Sequence, residues 1–370
     1  MQRKDRYIII MAGGRGERFW PVSRERKPKQ LIALLGERSF LQQTVDRVKP
    51  VAPLENIFII TNAVQVAAVR KQLSELPRQN IIGEPCGRDT CAAVALGAAV
   101  VSARAENGVM AVLPADHVIP NEARFQRVLR DSMFLAKREP ALVTIGIRPH
   151  EPATGYGYIQ VGCELETASA KSLKSNFFTA KKFIEKPNFA TAKRYLKSGQ
   201  YMWNAGMFIW SYETIASELQ RLQPKLFAAS KKWRGARGLA ELNAALVSDY
   251  PKLEKISVDY AIMENAKKIV CADGDFGWDD LGSWPALARH LKSDAEGNCA
   301  VGEFVHVDAA NNIIFDARTR SRTPIALVRV RDMIVVQTDD AMLIVQKSDS
   351  QEIKQLVSCL SSDKRFAHLV

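Results

Sequence analysis

From residue 6 to about 147, short apolar runs alternate with longer segments whose apolar positions recur at helical spacing. The runs "RYIIIMA", "NIFIIT", "NIIGEP", "GVMAVLPADH" and "ALVTIGI" read as strands. Between them, "SFLQQTVDRV", "AVQVAAVRKQLSEL", "DTCAAVALGAAVVSARA" and "EARFQRVLRDSMFLAKR" read as helices. Strands separated by helix-length segments predict right-handed βαβ units in a mostly parallel sheet, with ligands at the C-terminal ends of the strands. After residue 150, "TGYGYIQVG", "FFTAKKFIEKP" and "NAGMFIW" predict strands of a more mixed sheet, with helices near 189–198 and 212–246. This insertion is expected to form the second wall of a cleft. Beyond about residue 294 helical periodicity fades into short β-rich pieces with polar turns, before a final helix at about 349–360. The expected division is an α/β domain over 1–290 and a β-rich domain ending in a helix over 291–370.

Composition adds limits to this picture. With 370 residues and 47% hydrophobic content the chain can bury a sizeable core. Its longest apolar stretches stop short of the roughly 20 residues of a membrane span, and no apolar signal segment follows the charged N-terminus. No membrane association and a cytoplasmic location are therefore expected. The six cysteines include no Cys-x-x-Cys pair and the five histidines do not cluster with them, which argues against a zinc site or a disulfide framework. A formal charge of +12 raises nucleic-acid binding, but the basic residues are spread along the chain without a recognisable motif. An anionic small-molecule substrate is the favoured reading, with no nucleic-acid partner.

The stretch "MAGGRGERFWPVSRERKPKQL" (11–31) points to what that anion is. A strand running into Gly13, Gly14 and Gly16 lets backbone N–H groups approach phosphate oxygens without an intervening side chain. A Walker A string does not occur, and the dinucleotide fingerprint needs a third glycine where Phe19 stands. What remains is a glycine turn followed by Arg15, Arg18, Arg24, Arg26, Lys27 and Lys29, kept from continuing as a helix by Pro21 and Pro28. Alone, this favours a semi-rigid arm laid along a polyphosphate over a glycine turn that merely adjoins a basic surface loop.

"GGRGERFWPVSRERKPKQ" resembles the opening signature of the sugar-phosphate nucleotidylyltransferase family, and its Trp-Pro and Pro-Lys-Gln details are similar to the mannose-1-phosphate guanylyltransferase branch. "GEPCGRDT", "LPADHVI", "GYGYI", "FIEKP", "WNAGMFIW", "SVDYAIMEN" and "FGWDDLGSW" resemble that family's blocks, in its order, from about residue 6 to 290. The length fits the short, single-function type without an appended isomerase domain. The resemblance implies a Rossmann-like, mixed and mostly parallel nucleotidyltransferase domain, and a tail forming a short left-handed β-helix through which a homodimer would assemble. "RTPIALVRVRDM", however, lacks the glycine usual in such a coil.

The reaction so implied is attack by a mannose 1-phosphate oxygen on the α-phosphorus of GTP, giving GDP-mannose and pyrophosphate, with Mg²⁺ as cofactor. Asp116 and Asp280 match the metal-binding aspartates, Asp280 being chosen over Asp279 by the Trp-x-Asp-x-Gly pattern. A lone aspartate after a strand also serves as a cap or turn. Arg18 and Lys29 match the triphosphate cations, assisted by Arg15, beside the nucleotide-binding turn of Ala12, Gly13, Gly14 and Gly16. Glu84, Arg88 and Thr90 fall in the block that lines the base pocket of relatives, where a carboxylate or a backbone carbonyl could accept from guanine N1 and its exocyclic amine. Asp89 is read as a cap for the following helix and His117 as a structural neighbour. For the sugar phosphate the matching residues are Gly157, Glu185, Lys186 and Asn204. The alternatives are an enzyme for another base or sugar, and a silent GDP-mannose sensor, which would have lost Asp116, Asp280 or Lys29.

Overall fold

The five apolar runs of the first 147 residues form β1 (Arg6–Ala12), β2 (Ile57–Asn62), β3 (Ile81–Glu84), β4 (Val109–Pro114) and β5 (Leu142–Ile147). Nearly every residue in them is buried, as continuous apolar strands require when both faces of a sheet are covered. The computed structural model describes residues 1–320 and 323–370. These residues form two compact units, Met1–Gly13 with Thr44–Trp278, and Gly14–Gln43 with Asp279–Val370. Gly14–Gln43 thus groups with the C-terminal residues, a partition that differs from the linear division expected at residue 290.

In the first unit the strands after residue 150 make the sheet mixed, as expected. β6 (Tyr158–Glu164), β7 (Phe177–Ile184), β8 (Tyr201–Ser211) and β9 (Ile269–Asp273) join the same nine-stranded sheet, in the order β3-β2-β1-β4-β8-β5-β9-β7-β6. β3, β2, β1 and β4 are parallel neighbours, as are β5 and β9, while β8 runs antiparallel to both β4 and β5. Where β8 passes β5 the register slips between Thr144 and Gly146, and Gly206 on β8 takes a φ of 65° there. A left-handed residue in a strand is tolerated at glycine.

Helix α1 (Asp89–Arg104) is apolar nearly all round because it lies between the sheet and a helical layer that includes Tyr212–Leu222 and Pro224–Arg234. Gly97 lets it approach closely, since a Cβ there would lie 3.0 Å from Ile9. Helix α2 (Glu122–Arg138) is amphipathic and packs Phe125, Val128 and Leu129 toward β4, β5, β8 and β9.

The second unit contains β10 (Cys299–Val301), β11 (Phe304–Val307), β12 (Ile313–Asp316), β13 (Ile325–Val328), β14 (Met333–Gln337) and β15 (Met342–Gln346). β10, β12 and β14 stack in parallel, β11 pairs in parallel with β13, and β15 closes the stack antiparallel to β14. This is the arrangement of a short β-helical coil. Most of its turns repeat without glycine: after Gly297, Asn311 and Asp332 occupy the successive left-handed positions, and Asp308 and Arg329 another pair. Asn and Asp tolerate that conformation through local hydrogen bonding. A buried asparagine ladder reinforces the stack, with Asn312 Nδ2 donating to Asn298 Oδ1 at 2.9 Å and Asn312 Oδ1 accepting from Met333 N at 3.0 Å. The final helix, Ile353–Ser362, buries Ile353 and Val357.

Candidate active site

In the first unit the expected nucleotide residues gather at the C-terminal ends of β1 and β3. The Ala12 carbonyl is held by Thr61 Oγ1 at 3.0 Å, and Gly13 follows at the strand exit. A Cβ at Gly13 would lie 2.9 Å from Glu84 Oε2, so a side chain there would have to displace the Glu84 carboxyl. Glu84 is only 7% exposed. Burial pushes its carboxyl up to about 7, against a hydrogen bond from Tyr250 OH that favours the ionised form. Tyr250 is fully buried, and no local pattern marks it in the sequence because it stands 166 residues from Glu84.

Arg88 donates from Nε to the Tyr250 carbonyl at 3.2 Å and from Nη2 to the Pro251 carbonyl. Its guanidinium is thus committed to the segment that carries Tyr250. Thr90 Oγ1 accepts from Val258 N at 2.9 Å, tying the start of α1 to Ser257–Asp259. Asp89 opens α1 with a φ of 62° and accepts the N–H of Thr90 at 2.7 Å, one residue along rather than the two or three of an ordinary cap.

Asp116 stands just past β4, where Ala115 N donates to the Met11 carbonyl at 3.2 Å and continues the β1–β4 ladder. The next residue, His117, receives Trp278 Nε1–H on its Nδ1 at 3.0 Å, which makes it a bracing group for the Trp278 loop.

The four expected sugar residues also meet. A Cβ at Gly157 would come within 2.5 Å of Glu185 Oε2, and the Gly157 carbonyl accepts Asn204 N at 2.8 Å. Lys186 Nζ pairs with Glu185 Oε1 at 2.7 Å from a left-handed backbone, φ 42°. That hydrogen bond raises the Lys186 ammonium above its ordinary value. Asn204 is fixed at both ends of its amide: Oδ1 accepts from Gly206 N at 3.1 Å and Thr144 Oγ1 at 3.2 Å, while Nδ2 donates to Asp259 Oδ1 at 2.9 Å. Asp259, from "SVDYAIMEN", was not singled out as a site residue. Burial, with the Glu185 carboxylate adding to it, pushes its carboxyl up to about 6.

The second unit holds the arm and the aspartate loop. Gly16 has a φ of 65°, and a Cβ there would lie 2.8 Å from Lys29 N, so the chain doubles back on itself at this point. Gln30 Nε2 donates to the Gly14 carbonyl at 2.9 Å and Ser23 Oγ to the Gly16 carbonyl at 2.7 Å, closing the loop. Lys29 is 4% exposed. Its ammonium donates to the Asp280 carbonyl at 2.7 Å, and the rings of Phe19 and Phe40 lie 5.7 and 5.5 Å away. Arg18 Nη1 donates to the Gly282 carbonyl at 3.3 Å. Arg15 is exposed and pairs with Glu25 at 3.6 Å, and Arg26 and Lys27 are exposed at the tip of the arm.

The adjacent aspartates differ in their partners. Asp279 spends Oδ1 on Leu281 N at 2.8 Å and Oδ2 on Arg289 Nη2 at 2.8 Å and His290 Nε2 at 2.9 Å. Burial alone would raise its carboxyl, but the bonds from Arg289, Leu281 and His290 hold it below the ordinary value. Asp280 Oδ1 accepts from Gly282 N at 3.2 Å within its own turn. Asp116 and Asp280 each offer the hard carboxylate oxygens that magnesium prefers as ligands.

Residues 7–297 match the nucleotidyl transferase family, and residues 302–360 match the MannoseP isomerase/GMP-like beta-helix domain. The chain is 36% identical over 360 residues to xanthan biosynthesis protein XanB of Xanthomonas campestris pv. campestris (strain B100), covering 96% of this chain and 73% of that protein. It is 36% identical over 376 residues to mannose-1-phosphate guanylyltransferase of Escherichia coli (strain K12), covering 100% of this chain and 76% of that protein. It is also similar to the crystal structure described as mannose-1-phosphate geranyltransferase from Thermus thermophilus, with a TM-score of 0.83 and 32% identity, covering 97% of this chain and 100% of that chain. The chain belongs to the nucleotidyl transferase family, in the branch of its relatives named mannose-1-phosphate guanylyltransferase.

Proposed function

We propose that the protein transfers GMP from GTP to mannose 1-phosphate, and that residues 1–290 carry the catalytic chemistry. In this reading a mannose 1-phosphate oxygen attacks the α-phosphorus, the bond to the β-phosphate oxygen breaks, and pyrophosphate leaves. Both reactants are polyanions, so the protein's work is positioning and charge neutralisation. Glu84 accepts from guanine N1–H and the exocyclic amine, while Ala12, Gly13, Gly14 and Gly16 bring backbone toward the triphosphate. Thr90 and Arg88 act by holding the segments around the base. Arg18 and Lys29, assisted by Arg15, face the phosphates. Lys186 holds the sugar phosphate, and Glu185, Asn204 and Gly157 face the pyranose. Asp116 and Asp280 would hold Mg²⁺, which when bound neutralises phosphate charge as it builds.

The observation that carries this reading is Glu84, an anion-capable acceptor seated against Gly13, in a chain whose relatives over its whole length include mannose-1-phosphate guanylyltransferase. Pyrophosphate release measured across a panel of nucleoside triphosphates and sugar 1-phosphates tests it. Activity with GTP and mannose 1-phosphate is expected, and activity confined to UTP or dTTP rejects the reading.

Lys186→Ala is expected to raise KM for the sugar phosphate by about tenfold or more, the loss of one charged hydrogen bond, with KM for GTP little changed. Steady-state kinetics with each substrate varied separately measures this, and an effect confined to GTP would reassign the residue.

We also propose a homodimer formed by two copies of the β-rich tail, in a protein placed in the cytoplasm. Val305 and Val307 on β11 and Val328 on β13 are exposed, and Val307 lies in register with Val328. Among the described residues no helix is long and apolar enough to cross a membrane. Val307→Lys is expected to convert the dimer to monomer in size-exclusion chromatography with light scattering. An unchanged dimer would remove this face from the interface.

A further inference from the structure

Trp20 is the arm residue to which the chemistry above gives no task. It follows the turn Glu17–Phe19, two residues beyond Arg18, and its own N–H donates to the Glu17 carbonyl at 3.0 Å. Its ring is buried, and its Nε1–H donates to the carbonyl of Leu369 at 2.8 Å. Leu369 is itself buried, in the short turn Ala367–Leu369 after the helix Ile353–Ser362. That helix packs against Glu17–Phe19, and Val357 and Ser361 on it face the arm across a cavity of about 210 Å³. A second tie holds the same region: Arg24 lies over the Trp20 ring, 5.6 Å from its centroid, and pairs with Asp340 at 2.8 Å.

These ties reach the cations because residues 16–23 form one hydrogen-bonded piece. Phe19 N donates to the Gly16 carbonyl at 2.9 Å, and Val22 N and Ser23 N both donate to the Phe19 carbonyl, at 2.9 and 3.0 Å. Lys29 is pressed against Gly16, where no side chain fits between them. Displacing Trp20 therefore displaces the turn that carries Arg18 and the surface on which Lys29 rests. Through their bonds to the Gly282 and Asp280 carbonyls, Arg18 and Lys29 then pass the disturbance to the aspartate loop.

We propose that the segment Ile353–Val370 positions the glycine-rich arm, and that Trp20 is the positioning residue through which the Leu369 carbonyl sets Arg18 and Lys29. This rests on the reading of Arg18 and Lys29 as triphosphate cations. It assigns the C-terminal segment a part in GTP binding that a purely architectural tail does not have, and it explains why an indole, rather than any other large apolar side chain, stands before Pro21. Phenylalanine would fill the space but leave the Leu369 carbonyl buried without its donor.

Two variants remove the two ends of the bond. Trp20→Phe deletes the donor and keeps an aromatic ring, and a chain lacking residues 367–370 deletes the acceptor. Each is expected to raise KM for GTP about tenfold, the effect of one buried hydrogen bond lost, with KM for mannose 1-phosphate unchanged. The combined variant is expected to be no worse than either alone, because both remove the same interaction. Additive effects, an unchanged KM for GTP, or equal rises in both KM values with a lowered melting temperature would overturn the proposal.

Amide hydrogen exchange over residues 14–31 reads the anchorage without turnover, and faster exchange in Trp20→Phe is expected. Unchanged exchange would overturn the proposal even in a protein that turned over neither substrate, an outcome that would separately reject the guanylyltransferase reading. Should the shortened chain fail to fold, the kinetics and exchange of Trp20→Phe decide alone.

Discussion

Asp116→Ala and Asp280→Ala are each expected to lower turnover roughly a thousandfold, at any Mg²⁺ concentration, while the melting temperature stays close to that of the unsubstituted protein. The size follows from the reaction: charge built up between two polyanions is what the site must neutralise, and each carboxylate is a proposed holder of the ion that does so. The small effect on folding follows from position. Asp116 stands beyond the last residue of β4 and Asp280 in an irregular turn, so neither side chain is part of the sheet or a core cluster.

Asp279→Ala supplies the contrast. It removes the carboxylate that holds Arg289, His290 and the Leu281 N–H together, so it is expected to lower the melting temperature clearly, with turnover of the folded fraction within about tenfold. Measuring kcat and thermal unfolding on all three variants separates the roles. Near-normal turnover in Asp280→Ala, or a thousandfold loss in Asp279→Ala with intact stability, would exchange the assignment within the pair.

Much of this was readable in the chain because local periodicity and local motifs carried it. The βαβ rhythm before residue 147 placed β1 to β5 correctly, since strands covered on both faces are short continuous apolar runs while the segments between them are of helix length. Gly157, Glu185, Lys186 and Asn204 were named from the resemblance of "GYGYI", "FIEKP" and "WNAGMFIW" to the family's blocks, and the sheet brings β6, β7 and β8 side by side. Long-range relations left no local mark. Tyr250 reaches Glu84 across 166 residues and Trp20 reaches Leu369 across 349, and Asp259 meets Asn204 from a one-turn helix 55 residues away in a block whose motif did not single out this aspartate. The tail was obscured differently: its coil uses Asn311, Asp332, Asp308 and Arg329 at left-handed positions where glycine would have announced the turns. Its stacking is reinforced instead by Asn298 and Asn312, a spacing too short to read as a repeat.

Glu84→Gln is expected to raise KM for GTP on the order of a hundredfold and, at about pH 8, to raise the melting temperature. The two effects share one cause. In the folded protein burial pushes the Glu84 carboxyl up to about 7 from an ordinary 4.5, a difference worth about 3 kcal/mol. Between those values the folded state holds a proton that the unfolded state has released. The stability contributed by that proton is therefore fully present below about pH 4.5 and lost as pH rises through about 7. Above that pH the protein keeps a buried carboxylate at a cost, and glutamine removes the cost.

The cost is useful if the ionised form is what guanine requires, since N1–H and the exocyclic amine both donate and a protonated carboxyl offers one acceptor fewer. KM for GTP should then rise in the unsubstituted protein as pH falls below about 7. The groups that act on this carboxyl set where that limb falls. Tyr250 OH donates to it and lowers its pKa, Asp89 raises it, Cys86 and Cys91 lie near the Tyr250 hydroxyl, and Arg88 holds the Tyr250 carbonyl. Tyr250→Phe deletes the only group among these that favours ionisation directly, so its acid limb is expected to move to higher pH. Profiles of KM for GTP and of melting temperature against pH, taken on the unsubstituted protein and both variants, test the whole chain of reasoning. A Glu84→Gln protein that binds GTP normally would remove the carboxylate from base recognition. One that loses GTP binding without gaining stability at high pH would show that the buried charge carries no such penalty.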